Sequence, residues 1–387
     1  LLTLGGLTQM QKFDYILAGS GAAGLTLAYL LMEHEYTEKK VLIIDKDLKE
    51  NNDRTWSFWQ KGENLLESLI HKSWGNVVVK GSKFQETYNI SPYSYKMIRG
   101  IDFYEFMKER ISIYPNVTWV NAEVTEITDD GIVKTEQQSY AGELVFNSIF
   151  DYKELSSEKK TTTLLQHFLG YIIETEEDRF DPETCTYMDF SIDQEGDCRF
   201  GYILPFDKRT ALLEYTLFNQ ELLKEEAYEA RLKSYIEEQG IKDYKVKEVE
   251  YGIIPMTDYP FLNKQSKAVI NIGIKGGFAK ASTGYSFLRA QKILTKMAKN
   301  LTLGLDPLHD LPHQKPRFKK YDATLLKVLA SKKYTGEQVF TALFEKNGAH
   351  AVFKFLDEET NLAEELKIMS STPILDFGKA FIQSVLK

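Results

Sequence analysis

Short apolar runs, alternating stretches and helical-period faces follow one another along the chain in an order that predicts a mixed α/β protein. FDYILAG (13–19) reads as a short buried strand, and the apolar run after Gly24 reads as a helix ending in the charged residues 33–40. VLIID (41–45) reads as a second buried strand, so a strand, a glycine turn, a helix and a strand form a βαβ unit. Short β-branched stretches follow at NVVVKG (76–81), VTWVNAEVTEIT (117–128), GIVKTE (131–136) and ELVFNSI (143–149). The pattern then changes. TCTYMDFSID (184–193), CRFGYILPF (198–206) and TALLEYTLF (210–218) alternate as an antiparallel sheet does. ELLKEEAYEARLKSYIEEQG (221–240) reads as a helix with a charged outer face and a glycine stop. VINIGIKGGFAKASTGYSF (269–287) returns to a buried strand with a second glycine-rich turn. From Pro307 the pattern is mainly helical, with apolar residues at helical spacing in 336–347 and 375–386.

The first turn has the spacing Gly19-x-Gly21-x-x-Gly24, and Asp45 follows the last glycine by 21 residues (45 − 24). Gly19 permits a tight turn, Gly21 lets the backbone approach a pyrophosphate, and Gly24 lets the helix pack on the strand. Ser20 lies in the same turn, and Asp45 is placed to hydrogen-bond a ribose hydroxyl. A packing turn with no ligand is the competing reading. The spacing alone does not separate NAD from FAD. A fingerprint near the start of the chain, paired with a glycine turn some 250 residues later, is the layout of a flavoprotein, which favours FAD.

Composition narrows the function classes. A length of 387 residues suggests about two domains, and 43% hydrophobic with 27% charged residues makes disorder a poor reading. The 13% aromatic share supplies rings for a core and for an apolar ligand cavity. A formal net charge of −8 argues against nucleic acid as a partner. The two cysteines, Cys185 and Cys198, form no CxxC spacing and point to a reducing compartment. No apolar run is long enough to cross a bilayer. Residues 1–9 lack a charged leader and precede Met10, so a read-through start or fragment edge is expected there. His309 and His313 are four apart but lie in a proline-containing linker, and no metal is expected. Lys315, Arg317, Lys319, Lys320, Lys327, Lys332 and Lys333 are interleaved with apolar residues, as in a helix resting on anionic lipid or in a solvated basic face.

Several segments in order carry a resemblance: FDYILAGSGAAGLTLA, the NDRTWSF core at 52–58, LLQHFLGYIIET, then TYMDFSIDQEGDCRFGYILPFDKRTALLEYTLF, YGIIPM and IGIKGGFAKASTGYSF. With these the chain resembles the lycopene cyclase family, flavin-dependent enzymes that form carotenoid rings. The resemblance implies a Rossmann-type FAD-binding domain interrupted by an antiparallel β-sheet substrate domain, with a helical C-terminal region. The boundaries expected are 10–75, 97–160 and 245–305 for the FAD-binding domain, 76–96 and 161–244 for the substrate domain, and 306–387 for the helical region. It also implies a linear C40 substrate such as lycopene, closed to β-rings without net redox change by reduced FAD, with NAD(P)H as reductant. Delivery of such a substrate implies a peripheral protein on the cytoplasmic face of a membrane.

In the LLEYT segment the resemblance makes Glu214 the essential acid. A solvent-facing Glu or a salt bridge to Arg209 is the alternative. Asp189, in YMDF, matches a second family acid and is expected to face the same cavity if both strands share one sheet; a turn-stabilising Asp is the alternative. Arg54 and Arg99 are candidates for the flavin phosphates or surface cations. Gly273, Gly276, Gly277, Thr283 and Gly284 are candidates for backbone approach to the ribityl phosphate or flavin ring. NIGIK (271–275) lacks the Gly-Asp pair whose acid often binds ribityl, which leaves that contact open. Trp56, Phe58 and Trp59 are expected near the flavin, along the polyene path, or simply in the core. Two other classes stay open: a flavin-dependent monooxygenase or polyprenyl reductase on an isoprenoid, and an isoprenoid carrier without turnover.

Overall fold

A computed structural model describes residues 10–35, 38–157 and 160–385. Residues 1–9, expected to be a fragment edge, lie outside them. β1 (Gln11–Ala18) and β2 (Val41–Asp45) pair in parallel, with α1 (Ala22–Tyr29) crossing between them. Residues Ala23–Tyr29 are all buried, which is why this helix is apolar all round rather than striped. A π-helical turn, Leu30–His34, ends it. β3 (Thr55–Lys61), β4 (Lys72–Trp74), β5 (Asn76–Gly81), β6 (Phe84–Asn89) and β7 (Tyr93–Arg99) then lead into α2 (Gly100–Ser112).

The stretch 117–128 is divided between β8 (Val117–Asn121) and β9 (Val124–Ile127), which lie at opposite edges of one sheet. The break falls at Ala122, whose N–H donates to the Asp45 carbonyl at 2.9 Å and so ends the pairing with β2. β10 (Ile132–Thr135) and β11 (Ser139–Asn147) complete a sheet of order β8-β2-β1-β11-β10-β9. The alternating segments form β12 (Thr163–Thr175), β13 (Thr184–Asp189), β14 (Cys198–Pro205) and β15 (Thr210–Asn219), followed by α3 (Glu225–Glu238), β16 (Tyr244–Thr257) and β17 (Val269–Asn271). β17 returns to the first sheet beside β11 in parallel. The helices α4 (Phe287–Thr302), α5 (Pro316–Ala330), α6 (Gly336–Leu356), α7 (Leu362–Ser370) and α8 (Ile374–Val385) end the chain, with α6 broken at Gly348.

The second sheet has the order β16-β12-β15-β14-β13-β5-β6. Its two faces divide by parity: Leu213, Tyr215 and Leu217 pack with α3, while Leu212 and Phe218 join the cluster that includes the C-terminal helices. None of the three strands of the β3-β7-β4 sheet is marked by the sequence pattern. Sheet membership also moves two expected boundaries. β16 is hydrogen-bonded to β12 from Thr257 to Tyr244, so 245–257 belongs with the second sheet, and position 97 falls inside β7. Long cross-strand pairing overrides the charged pattern KVKEVE, which by itself marks nothing as sheet.

Candidate active site

At the carboxyl ends of β1 and β2 the glycine turn has the shape a phosphate needs. Gly19 takes φ +99°, and a Cβ on Gly24 would strike the Gly19 carbonyl, so the helix approaches the turn closely enough to exclude any side chain there. Nothing lies within 4 Å of a Cβ placed on Gly21, and no side chain caps the N-terminus of α1. The open cradle over uncapped N–H groups fits the pyrophosphate of a dinucleotide. Asp45 secures the turn: its carboxylate accepts from the Ser20 N–H at 2.6 Å and the Ser20 hydroxyl at 3.0 Å. The second glycine-rich segment meets the first, since a Cβ on Gly273 would lie 3.0 Å from that of Ala23.

The remaining candidates separate. Arg54, Thr283, Gly284 and Glu214 line one cavity of about 280 Å³ between the second sheet and the start of α4. Gly276 and Gly277 line a different cavity. Arg99 is the N-cap residue of α2 and donates to Glu248 at 3.1 Å. Arg54 donates to its neighbour Asp53 at 2.8 Å. Trp56 lies in the Glu214 cavity, stacked on Phe287, whereas Trp59 stacks on Phe353 and donates to Asp357 at 2.8 Å. Phe58 is core.

Glu214 is buried in β15, on the face away from α3. It stands in a cross-strand row with Tyr202 of β14, Gly170 of β12 and Glu250 of β16. Burial first, and then the neighbouring Glu250 carboxyl, push the Glu214 carboxyl up to about 8; a hydrogen bond from the Thr216 hydroxyl opposes them. Glu214 therefore holds its proton at neutral pH. Glu250 accepts from the Thr55 N–H at 2.7 Å and the Thr55 hydroxyl at 2.6 Å. Sequence reasoning missed Glu250 because it follows exposed residues in KVKEVE and looks like part of a solvated edge; its one signal was adjacency to YGIIPM.

A second cavity, about 520 Å³ and lined by Met188, Phe340, Phe344 and Phe377 among others, lies between this sheet and the C-terminal helices. Gln166, Tyr202, Thr283 and Tyr285 line both cavities, so the Glu214 cavity, which also holds Asp53, Arg54 and Glu250, adjoins the apolar one. Tyr95, whose hydroxyl is 3.0 Å from that of Tyr285, adds another ring at the junction.

Asp189 shares the sheet with Glu214, as expected, but not the cavity. A bulge between Thr186 and Asp189 turns both Tyr187 and Met188 toward the C-terminal helices and sends Asp189 to the α3 face. There, fully buried, it lies 3.3 Å from Lys80 and accepts from the Tyr235 hydroxyl at 3.3 Å. A count of alternate residues places it on the wrong side because the bulge adds one.

A Rossmann-type sheet with a glycine turn, joined to a second sheet that is antiparallel except between β13 and β5, gives the fold of FAD-dependent monooxygenases and reductases. The fold is similar to that of a geranylgeranyl bacteriochlorophyll reductase-like protein from Thermoplasma acidophilum, with TM-score 0.66, 12% identity, and 97% of this chain and 100% of that one covered. It is also similar to the halogenase PltM in complex with FAD, with TM-score 0.58, 12% identity, and 97% and 85% covered.

The chain belongs to the lycopene cyclase family, whose model, "Lycopene cyclase protein", matches residues 14–380. Two curated relatives are named lycopene beta-cyclase. The one from Pseudescherichia vulneris is 24% identical over 313 residues, covering 78% of this chain and 77% of the relative. The one from Pantoea ananas is 22% identical over 300 residues, covering 74% of each.

Proposed function

We propose that the protein closes β-rings at the ends of linear lycopene by proton-initiated, redox-neutral cyclisation, with FAD as cofactor and NAD(P)H as its reductant. The observation that carries this reading is a buried carboxyl group, Glu214, set beside a second buried carboxyl in a cavity that adjoins a large apolar one; burial pushes it up to about 8, which favours the protonated acid at neutral pH. Its O–H gives a proton to the terminal double bond, whose electron pair forms the new C–H bond and leaves a tertiary cation. The next suitably placed double bond attacks, forming the ring C–C bond. The Glu214 carboxylate left by the first step takes a proton from the neighbouring carbon, whose C–H electron pair becomes the ring alkene, so one proton enters, one leaves and the acid is restored. The rings of Tyr95, Tyr202 and Tyr285 surround the junction, and aromatic faces stabilise a desolvated cation. The apolar lining excludes water that would trap it.

Gly19, Ser20, Gly21, Gly24, Asp45 and Gly273 would hold the nucleotide end of FAD, and Arg54, Thr283 and Gly284 its ring end. When bound and reduced, FAD supplies negative charge that stabilises the cation.

Peripheral attachment to the cytoplasmic face of a membrane completes the reading. Among the described residues no helix is long and apolar enough to cross a membrane. The basic run around α5 supplies less support than its composition suggests, because Arg317, Lys332 and Lys333 pair with Glu365, Asp197 and Asp376. Leu362 and Leu366 on α7 and Ile382 on α8 are 64%, 66% and 58% exposed, beside residues of the same helices that line the apolar space. They suit entry of a water-insoluble substrate from lipid.

The test is expression in a bacterium that accumulates lycopene, followed by pigment analysis. β-Ring carotenoids are the expected product; unchanged lycopene beside folded, flavin-loaded protein contradicts the reading.

A further inference from the structure

We infer that Glu250 is a positioning residue for the acid: held as the anion by Thr55, it keeps the proton on Glu214. The inference rests on Glu214 as the acid and adds to it the group that sets its charge state.

The two carboxyl groups lie on the same face of the sheet, one strand apart on either side of β12. Strands are about 4.8 Å apart, so the two residues are separated by about 9.5 Å along the row. The residue between them is Gly170, which puts no side chain in the gap; a Cβ there would lie 3.6 Å from the Glu214 side chain. Both side chains are buried, and two buried carboxyl groups sharing one face and one cavity do not both ionise cheaply.

Their donors decide which one carries the charge. Glu250 receives a backbone N–H and a hydroxyl from Thr55, one on each oxygen, with the Arg54 guanidinium lining the same cavity. Among the described residues, Glu214 receives only the Thr216 hydroxyl. Burial raises the Glu250 carboxyl too, but both Thr55 bonds and the Arg54 guanidinium oppose that rise, whereas at Glu214 only the Thr216 hydroxyl does; charge therefore settles first on Glu250, and its field opposes ionisation of Glu214.

The other groups facing the cavity leave this balance in place. Asp53 is engaged by Arg54 and by the Tyr104 hydroxyl. Tyr95 from β7, Tyr202 from β14 and Tyr285 before α4 are held well above the ordinary tyrosine range by burial, so they stay neutral. Tyr251 of β16 completes the ionisable lining.

The sequence segment that carries Thr55 is tied to β16 at two points, Asn52 to Glu248 at 2.6 Å and Thr55 to Glu250. A purely structural tether is the competing account, and charge separates the two. Glu250→Gln keeps an oxygen to accept from the Thr55 N–H but removes the charge.

In flavin-loaded protein, infrared titration follows the protonated carboxyl band assigned to Glu214 by its loss in Glu214→Gln. Its midpoint is expected to fall by about one pH unit in Glu250→Gln. The alkaline limb of the cyclisation rate is expected to move by the same amount with flavin content unchanged. A midpoint that does not move overturns the inference. Thr55→Val, which removes the hydroxyl donor, is expected to shift the midpoint the same way by less, and serves if Glu250→Gln does not fold; no shift there also overturns it. Because the infrared midpoint needs no turnover, an inactive wild-type protein sinks the cyclase reading separately from this one.

Discussion

Burial, and then Glu250, push the Glu214 carboxyl from its ordinary 4.5 up to about 8 in the folded chain, and the sign of its effect on stability follows. Between those values the unfolded chain has lost the proton that the folded chain keeps, so stability falls as pH rises through the window. Glu214→Gln removes that slope. The variant is expected to gain on the order of 2–4 kcal/mol over wild type at pH 8 and nothing at pH 4, read by denaturant unfolding at both. The same variant is expected to retain flavin and form no ring pigment; full activity would move the acid role elsewhere. Asp189 behaves differently because its carboxylate is buried against Lys80 and Tyr235 rather than substrate. Asp189→Asn is expected to cost about 1–3 kcal/mol of stability while the folded fraction still cyclises. Loss of turnover at unchanged stability would return Asp189 to the site.

The glycine turn between β1 and α1 was legible as an element because each of its constraints is local: a left-handed residue, an open residue and a close approach, at fixed spacing. Gly24→Ala is expected to abolish flavin retention, measured by absorbance after gel filtration, since its Cβ meets the backbone carbonyl of Gly19. A flavin-loaded variant would show that the turn adjusts. Glu214 on an alternating strand was legible for the same reason, since TALLEYT keeps its period of two through β15. What could not be read depended on distant partners. The bulge that turns Asp189 away is set by pairing with β5 and β14, and Glu250 is bonded by Thr55 and paired across β12, both far from it in sequence. The β3-β7-β4 sheet likewise exists through contacts between segments far apart in sequence.

At the scale of the molecule, one sheet of nucleotide-binding type, a second sheet carrying the carboxyl pair, and five C-terminal helices set an apolar cavity next to the one that holds Glu214. Replacing Leu362, Leu366 and Ile382 together by Ser is expected to lower co-sedimentation with lipid vesicles without lowering flavin content. Undiminished co-sedimentation would place lipid contact elsewhere. A flavin-dependent reductase or monooxygenase would use the same architecture to move electrons, so the central claim is that this site moves a proton instead. The most direct measurement supplies lycopene to the purified, flavin-loaded and chemically reduced protein in heavy water and weighs the product. The account predicts an isomer of lycopene carrying one deuterium for each ring formed. A product changed by two hydrogens or by an oxygen, or a ring formed without deuterium, would contradict it.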